Sequence, residues 1–346
     1  MIPYLAAFSL PVLLYPIRRY SRMAYVFLLA GLWAMFAGLR NGIGGGDFYA
    51  YQQIYAGIVG FYLQAGKAFE PLFSLLCIAA KAAGIPYNGL LSIVALLIAL
   101  PSAYVIDRRS EESALALFVF GIEWFLYVSF VVLRQGLAVG FSFLAIDFLL
   151  DKRWRGAVIA AAIAIGFHYS AIMLVPLFFC TGRLRNRTRL IFFLVAAAIF
   201  GVFELTSSRM AWRDATQGLF NRFLTYVSGG KVEPLNLLNY LEIGAVWLLI
   251  ERYAEDAHPL LKNGYFVYSC CALAAMRQAI VIRFAWYPEL ALALLIPAIC
   301  EARRVSRGAR ILLYGGLTAY FLAKTCRWLL LNGGGLGGFL PYSWIL

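Results

Sequence analysis

The stretch Leu90–Ile106, LLSIVALLIALPSAYVI, carries no charge over the length an α-helix needs to cross the hydrocarbon of a bilayer. Outward from it the pattern repeats: apolar runs of roughly 17 to 25 residues follow one another, divided by short basic clusters. Strands of a transmembrane barrel would be about 10 residues long with alternating polarity. The predicted class is therefore all-α, a polytopic integral membrane helical bundle with about 10–12 transmembrane segments. Hydrophobic residues make up 63% of the chain and charged residues 14%, and the mean hydropathy is +0.78, values outside the range of soluble domains.

Predicted spans are Ile2–Ile17, Met23–Leu39, Leu90–Ile106, Ala114–Val132, Gly136–Leu150, Leu190–Leu205, Leu237–Ile250, Tyr265–Ile280, Phe284–Cys300 and Ile311–Leu331. The first resembles a signal peptide whose charge stands on the wrong side, since Arg18, Arg19 and Arg22 follow it; it reads as a retained span with its amino terminus outside. The whole chain, 1–346, is expected to be one membrane domain with an outer Gly/Tyr-rich loop at 40–68 and a second outer loop at 206–236.

The net charge of +13 does not point to nucleic acid. Its basic residues lie beside apolar runs, at Arg18–Arg22, Lys152–Arg155, Arg183–Arg189 and Arg303–Arg310, as the positive-inside rule places them. Six cysteines, all in apolar stretches and without ligand spacing, read as small core residues, and neither disulfide nor metal is expected.

Two segments fit no single span. Residues 69–84 contain Glu70, Pro71 and Lys81, and read as an interfacial or re-entrant helix. Residues 157–179 contain His168 between two basic flanks that both prefer the inside, which leaves either a helix broken near Gly166 or one straight span. With Arg18–Arg22 inside, Arg40, Arg134, His168 and Arg283 all fall towards the outer compartment.

Charge set against hydrocarbon costs kilocalories unless it is paired or wetted, so polar islands in such a chain are functional candidates. The first, Arg40 to Asp47, has glycines at 42, 44, 45 and 46, whose amides could turn towards an anion beside the Arg40 fork; a flexible hinge explains the same glycines. Tyr49, Tyr51 and Tyr55 follow, as a sugar-stacking surface or an interfacial aromatic belt. The second, Arg134-Gln135-Gly136, puts an arginine where a helix dipole opposes it, which suits an anion site or a snorkelling side chain. In the third, Gly166 to Ser170, His168 and Tyr169 stand in apolar surroundings, and imidazole suits either proton transfer near neutral pH or a hydrogen-bonded helix contact. A fourth runs from Arg277-Gln278 to Arg283 and Tyr287, with its two arginines directed differently around a helix.

Taken in order, Leu39-Arg40 through Gly44, Asp47, Tyr51 and Tyr55, then Glu70-Pro71, Leu133 to Ala138, Phe167 to Ala171, Arg283-Phe284 with Tyr287, and Pro341-Tyr342 make the chain resemble the EpsG group of Wzy-type polysaccharide polymerases. It departs from the group where Gly45 and Gly46 stand in place of a frequent threonine or serine before Asp47. The resemblance implies a fold that is GT-C-like in the broad sense. It also implies an enzyme that transfers a glycan from a polyprenyl diphosphate, such as undecaprenyl diphosphate, to the non-reducing end of another lipid-linked repeat unit. That transfer would take place on the outer, periplasmic face of a bacterial inner membrane and serve O-antigen, capsule or exopolysaccharide synthesis. Expected partners are the lipid-linked donor and acceptor and membrane lipids, with a chain-length regulator protein as a further candidate. No cofactor is expected.

On this reading His168, Arg134 and Asp47 are the catalytic candidates. Arg40, Gly44, Tyr51, Gln135, Tyr169, Arg277, Arg283 and Tyr287 are the candidates for diphosphate and sugar binding. A lipid-glycan flippase or transporter, and a membrane acyltransferase acting on sugars, are the alternative classes.

Overall fold

The computed structural model describes residues 1–59, 62–63, 69–207, 237–254, 257–275, 282–302, 305–335 and 337–345. The fold is all-helical and of membrane type, apart from a minimal antiparallel pairing of Ile58–Val59 with Tyr62–Leu63. Among the described residues three helices are long and apolar enough to cross a bilayer: Tyr87–Arg109, Ser113–Phe130 and Leu133–Leu150. A fourth crossing is available if the bent pair Arg283–Glu289 and Leu292–Cys300 is one span. Of the ten to twelve segments expected, the others are shorter, more charged or partly outside the described residues; the shorter apolar helices include Ile2–Arg18, Arg22–Gly38 and Trp154–Phe167.

By its contacts the chain divides into two compact units, Met1–Ile172 with Arg303–Leu346, and Met173–Ala302. In the first, the helices Arg22–Gly38, Tyr87–Arg109, Ser113–Phe130, Leu133–Leu150 and Trp154–Phe167 alternate in direction, because the links between the later ones are too short for anything but an immediate reversal. Small residues let them close. A Cβ on Gly136 would meet the Val128 carbonyl oxygen at 2.4 Å, and one on Gly140 the Leu97 oxygen at 2.7 Å, so this small-xxx-small face lies against backbone. Gly38 does the same on the other side of the Tyr87–Arg109 helix, where a Cβ would overlap Ser92.

Ion pairs finish one end of this stack. Asp107 accepts from Arg18 Nε at 2.5 Å and Arg22 Nε at 3.0 Å. Asp147 accepts from Arg108 and Arg109, and Asp151 accepts from both as well, at 2.5 to 2.7 Å. Each of these aspartate oxygens has its own guanidinium nitrogen, so buried helix ends carry compensated charge.

The second unit packs Asn186–Ser207 and Leu237–Tyr253 with Pro259–Ala275. Asn263 donates to the carbonyls of Cys180 and Gly182, and Arg189 pairs with Glu251. The predicted outer loop at 206–236 falls almost wholly outside the described residues.

Candidate functional site

The end of the first unit opposite the aspartates is built from the two segments that resisted a simple span. Pro71 opens a 12-residue helix, Pro71–Ala82, about 18 Å long and so too short to cross the bilayer. Glu70, the residue before that proline, is held extended (φ −58°, ψ 139°), and its side chain makes no capping bond to its own helix. The carboxylate is thereby left to point elsewhere.

The second segment breaks, as one of the two sequence readings has it. The Trp154–Phe167 helix stops at Phe167, His168 is extended (φ −157°, ψ 122°), and a 3-10 turn follows over Tyr169–Leu174. Gly166 brings this helix onto the short one, for a Cβ there would meet Leu72 Cδ1 at 2.7 Å. That closeness sets His168 beside Glu70: Nδ1 lies 2.6 Å from Oε1.

Arg134 completes the group. The Leu133–Leu150 helix begins one residue before it, after the two-residue break Val131-Val132, so Arg134 stands in the first turn of that helix. Its Nη1 donates to Glu70 Oε2 at 2.6 Å, its Nε to the Tyr51 hydroxyl at 3.4 Å, and its guanidinium lies 5.0 Å from the Phe69 ring centroid. The carboxylate offsets the unfavourable dipole that an arginine meets at a helix start. Among the described residues neither Arg134 Nη2 nor His168 Nε2 has a hydrogen-bonding partner. Side-chain exposure separates the roles: Glu70 keeps 5%, against 26% for Arg134 and 25% for His168. The shielded carboxylate holds two partners whose other edges are open.

Burial alone would push the Glu70 carboxyl up. The hydrogen bond from His168 and the charge of Arg134 outweigh it and hold the group down, at about 2.

Tyr51 reaches Arg134 from the Gly46–Gly57 helix, which is fixed along its length. The Tyr87 hydroxyl donates to the Phe48 carbonyl at 2.8 Å, the Tyr55 hydroxyl to the Ile85 carbonyl at 2.6 Å, and Lys81 Nζ to the last-turn carbonyl of Ala56 at 2.7 Å. Asp47 is exposed in the first turn of this helix, four residues before Tyr51 and so on the same face.

Arg40 and Gly44, expected at the diphosphate, have partners inside the fold. Arg40 is fully buried, with Nε on the Ile43 carbonyl at 2.8 Å, Nη1 on the Ala37 carbonyl and Nη2 on the Phe130 carbonyl at 3.3 Å. It satisfies the exposed carbonyls of two helix C-termini and has no face left for a diphosphate. The Gly44 and Gly45 amides donate to the Gly337 carbonyl at 3.0 and 2.7 Å, so the glycine run is a docking surface for backbone and not an anion nest. Gly44 has φ +129° with the Phe130 oxygen 2.4 Å from a would-be Cβ, which excludes a side chain.

Two further candidates are buried. Gln135 is 2% exposed and Tyr287 is 0% exposed, so neither presents a surface to a sugar. Tyr169 is exposed beside His168. Arg283 is half-buried in the second unit, and Arg277 lies outside the described residues. Glu70 is the site residue the sequence reading left out; an arginine and a histidine in apolar surroundings needing one anion between them is the signal that would have found it.

No curated protein and no solved structure matches this chain. The profile of the EpsG family matches residues 23–344. With nearly its whole length covered, the chain is a multi-pass membrane protein that belongs to the EpsG family of Wzy-like polymerases.

Proposed function

We propose that this chain polymerises lipid-linked repeat units, transferring a glycan from a polyprenyl diphosphate to the non-reducing end of an acceptor unit. The observation that carries this reading is the Glu70 bridge, which sets a partly free guanidinium beside a partly free imidazole. Diphosphate is a strong hydrogen-bond acceptor that a guanidinium fork matches, and an acceptor hydroxyl needs a group to take its proton.

In the proposed step the acceptor oxygen bonds to the anomeric carbon of the donor as the bond from that carbon to the diphosphate oxygen breaks. The electron pair leaves with the diphosphate, whose growing charge Arg134 stabilises. The hydroxyl proton passes to His168 Nε2. Tyr169, exposed next to the base, offers an aromatic face for a sugar. Asp47 is the second candidate base, reached from the same side as Tyr51.

Because the leaving group is already an anionic diphosphate, cationic side chains suffice and no metal is required. The Arg18–Arg22 and Lys152–Arg155 clusters, placed inside by the positive-inside rule, would turn Arg134 and His168 to the outer face of a bacterial inner membrane.

The test is polymerisation by purified protein supplied with polyprenyl-diphosphate-linked repeat units. A ladder of longer lipid-linked glycans is expected, absent with Arg134→Ala or His168→Ala and undiminished by EDTA. Wild-type ladders from either variant would remove the assigned roles, and inhibition by EDTA would remove the metal-free chemistry. Movement of labelled lipid across vesicles without lengthening would identify a flippase instead.

A further inference from the structure

Glu70 touches no open surface, yet both groups that do touch one are held by it. An ionised carboxylate can only accept hydrogen bonds. With Oε1 at 2.6 Å, Nδ1 of a neutral His168 must therefore be the protonated nitrogen, and Nε2 the one with the free electron pair. Nε2 is also the nitrogen with no partner among the described residues.

From this we infer that Glu70 is a positioning residue that locks His168 in its Nδ1–H tautomer and so assigns proton acceptance to Nε2. The inference rests on the assignment of His168 as base for its catalytic consequence, but not for the tautomer itself.

The charge arrangement gives the lock a second use. Before proton transfer, one negative charge on Glu70 faces one fixed positive charge on Arg134. Once Nε2 takes the acceptor's proton, a second positive charge stands against the same carboxylate, at the moment the departing diphosphate becomes more negative beside Arg134. Among the described residues the other polar groups facing this cluster are Tyr51, hydrogen-bonded to Arg134, and Asp47, which acts on Tyr51 electrostatically.

The chain carries its own internal reference. It has only two histidines, and the second is held in the opposite sense: the Leu260 amide donates to His258 Nδ1 at 3.1 Å, so a neutral His258 carries its proton on Nε2. The two imidazoles are thus expected in different tautomers within one polypeptide.

The experiment is nitrogen-15 NMR of the full-length protein, labelled at the histidine ring nitrogens, in detergent micelles at a pH where both rings are neutral. One Nδ1–H and one Nε2–H ring are expected, with His258→Asn removing only the second. A wild-type His168 carrying its proton on Nε2 overturns the inference without any mutation at the site. In Glu70→Gln, a side chain of the same shape that can also donate to Nδ1, the Nδ1–H signal should weaken. There kcat should fall about 100-fold without a rise in the donor KM, and Glu70→Asp should recover part of both. Unchanged kcat and an unchanged His168 spectrum in Glu70→Gln overturn the positioning role. An Nδ1–H ring at His168, together with full polymerisation by His168→Ala, supports the tautomer lock while removing His168 as base.

Discussion

The two ends of the first unit use the same ingredients to opposite effect. At one end, Arg18, Arg22, Arg108 and Arg109 meet Asp107, Asp147 and Asp151, and every carboxylate oxygen has its own guanidinium nitrogen. At the other, about 20 Å away along the Leu133–Leu150 helix, one carboxylate serves both an arginine and a histidine, and each of these keeps an open edge. Connectivity and chemistry make the difference. At the aspartate end Arg108 and Arg109 each bridge Asp147 and Asp151, so guanidinium and carboxylate tie one helix end to the next; at the other end the carboxylate joins an arginine to an imidazole, a group that can take a proton.

The sharpest way to break this contrast is to exchange the effects of mutation at its two ends. Arg134→Ala should lower polymer formation by about 100- to 1,000-fold, as loss of a transition-state hydrogen-bond donor does, while the protein still elutes as a single species. Arg108→Ala, in the sealed cluster, should leave turnover per folded molecule unchanged. Equal losses of turnover in the two variants would erase the distinction.

Arg40 tests the contrast from within the site's own end. As a buried cap on three carbonyls, its replacement by alanine should cost about 1–3 kcal/mol of stability for each carbonyl left without a donor and lower activity only in proportion to the folded fraction. Loss of donor affinity in an Arg40 variant of normal thermal stability would return Arg40 to the binding surface.

Gly44→Ala should be smaller, about 1–3 kcal/mol, from the positive φ and the Phe130 carbonyl together. Thermal unfolding in detergent measures it, and a change below the error of that measurement would mean the loop has room.

The mildest test is pH. Glu70 is depressed in the folded protein from 4.5 to about 2. Its contribution to stability is therefore fully present above about 4.5 and is lost as the pH falls through about 2. The margin in melting temperature of wild type over Glu70→Gln should shrink across that window. Asp151, at the sealed end, is also lowered, chiefly by its hydrogen bond from Arg109, so acid should loosen both ends in the same direction. A margin constant from neutral to acid pH would separate Glu70 from this behaviour.

Much of this was legible in the sequence because it is local. Uncharged runs mark helices, and Arg134 and His168 stand out since nothing near them in the chain could pair with them. The broken helix at His168 was one of two readings that the two basic flanks around too little apolar chain left open. What escaped is non-local. Glu70 lies 64 residues from Arg134 and 98 from His168, and in isolation it argued only for an interfacial helix. The glycines around Gly44 read equally as hinge or anion nest, because their partner, Gly337, lies near the opposite end of the sequence. Arg40 looked like a ligand-binding fork since carbonyls at helix C-termini leave no trace in side-chain identity.

That last pairing has a temporal side. Ser343 donates its hydroxyl to the Asn41 carbonyl across a separation of 302 residues, beside the Asn41 amide bond to Ser343 and the Ile345 bond to Leu39. At a synthesis rate of roughly 5–20 residues per second, the loop that holds Arg40 waits about 15–60 s for the strand that covers it. During that interval the Asn41, Gly44 and Gly45 amides are without the carbonyls of Gly337 and Ser343 that they bond in the finished fold. Closure of this end therefore waits on the last residues made, and cleavage just before Gly337 would remove the partners of all three amides.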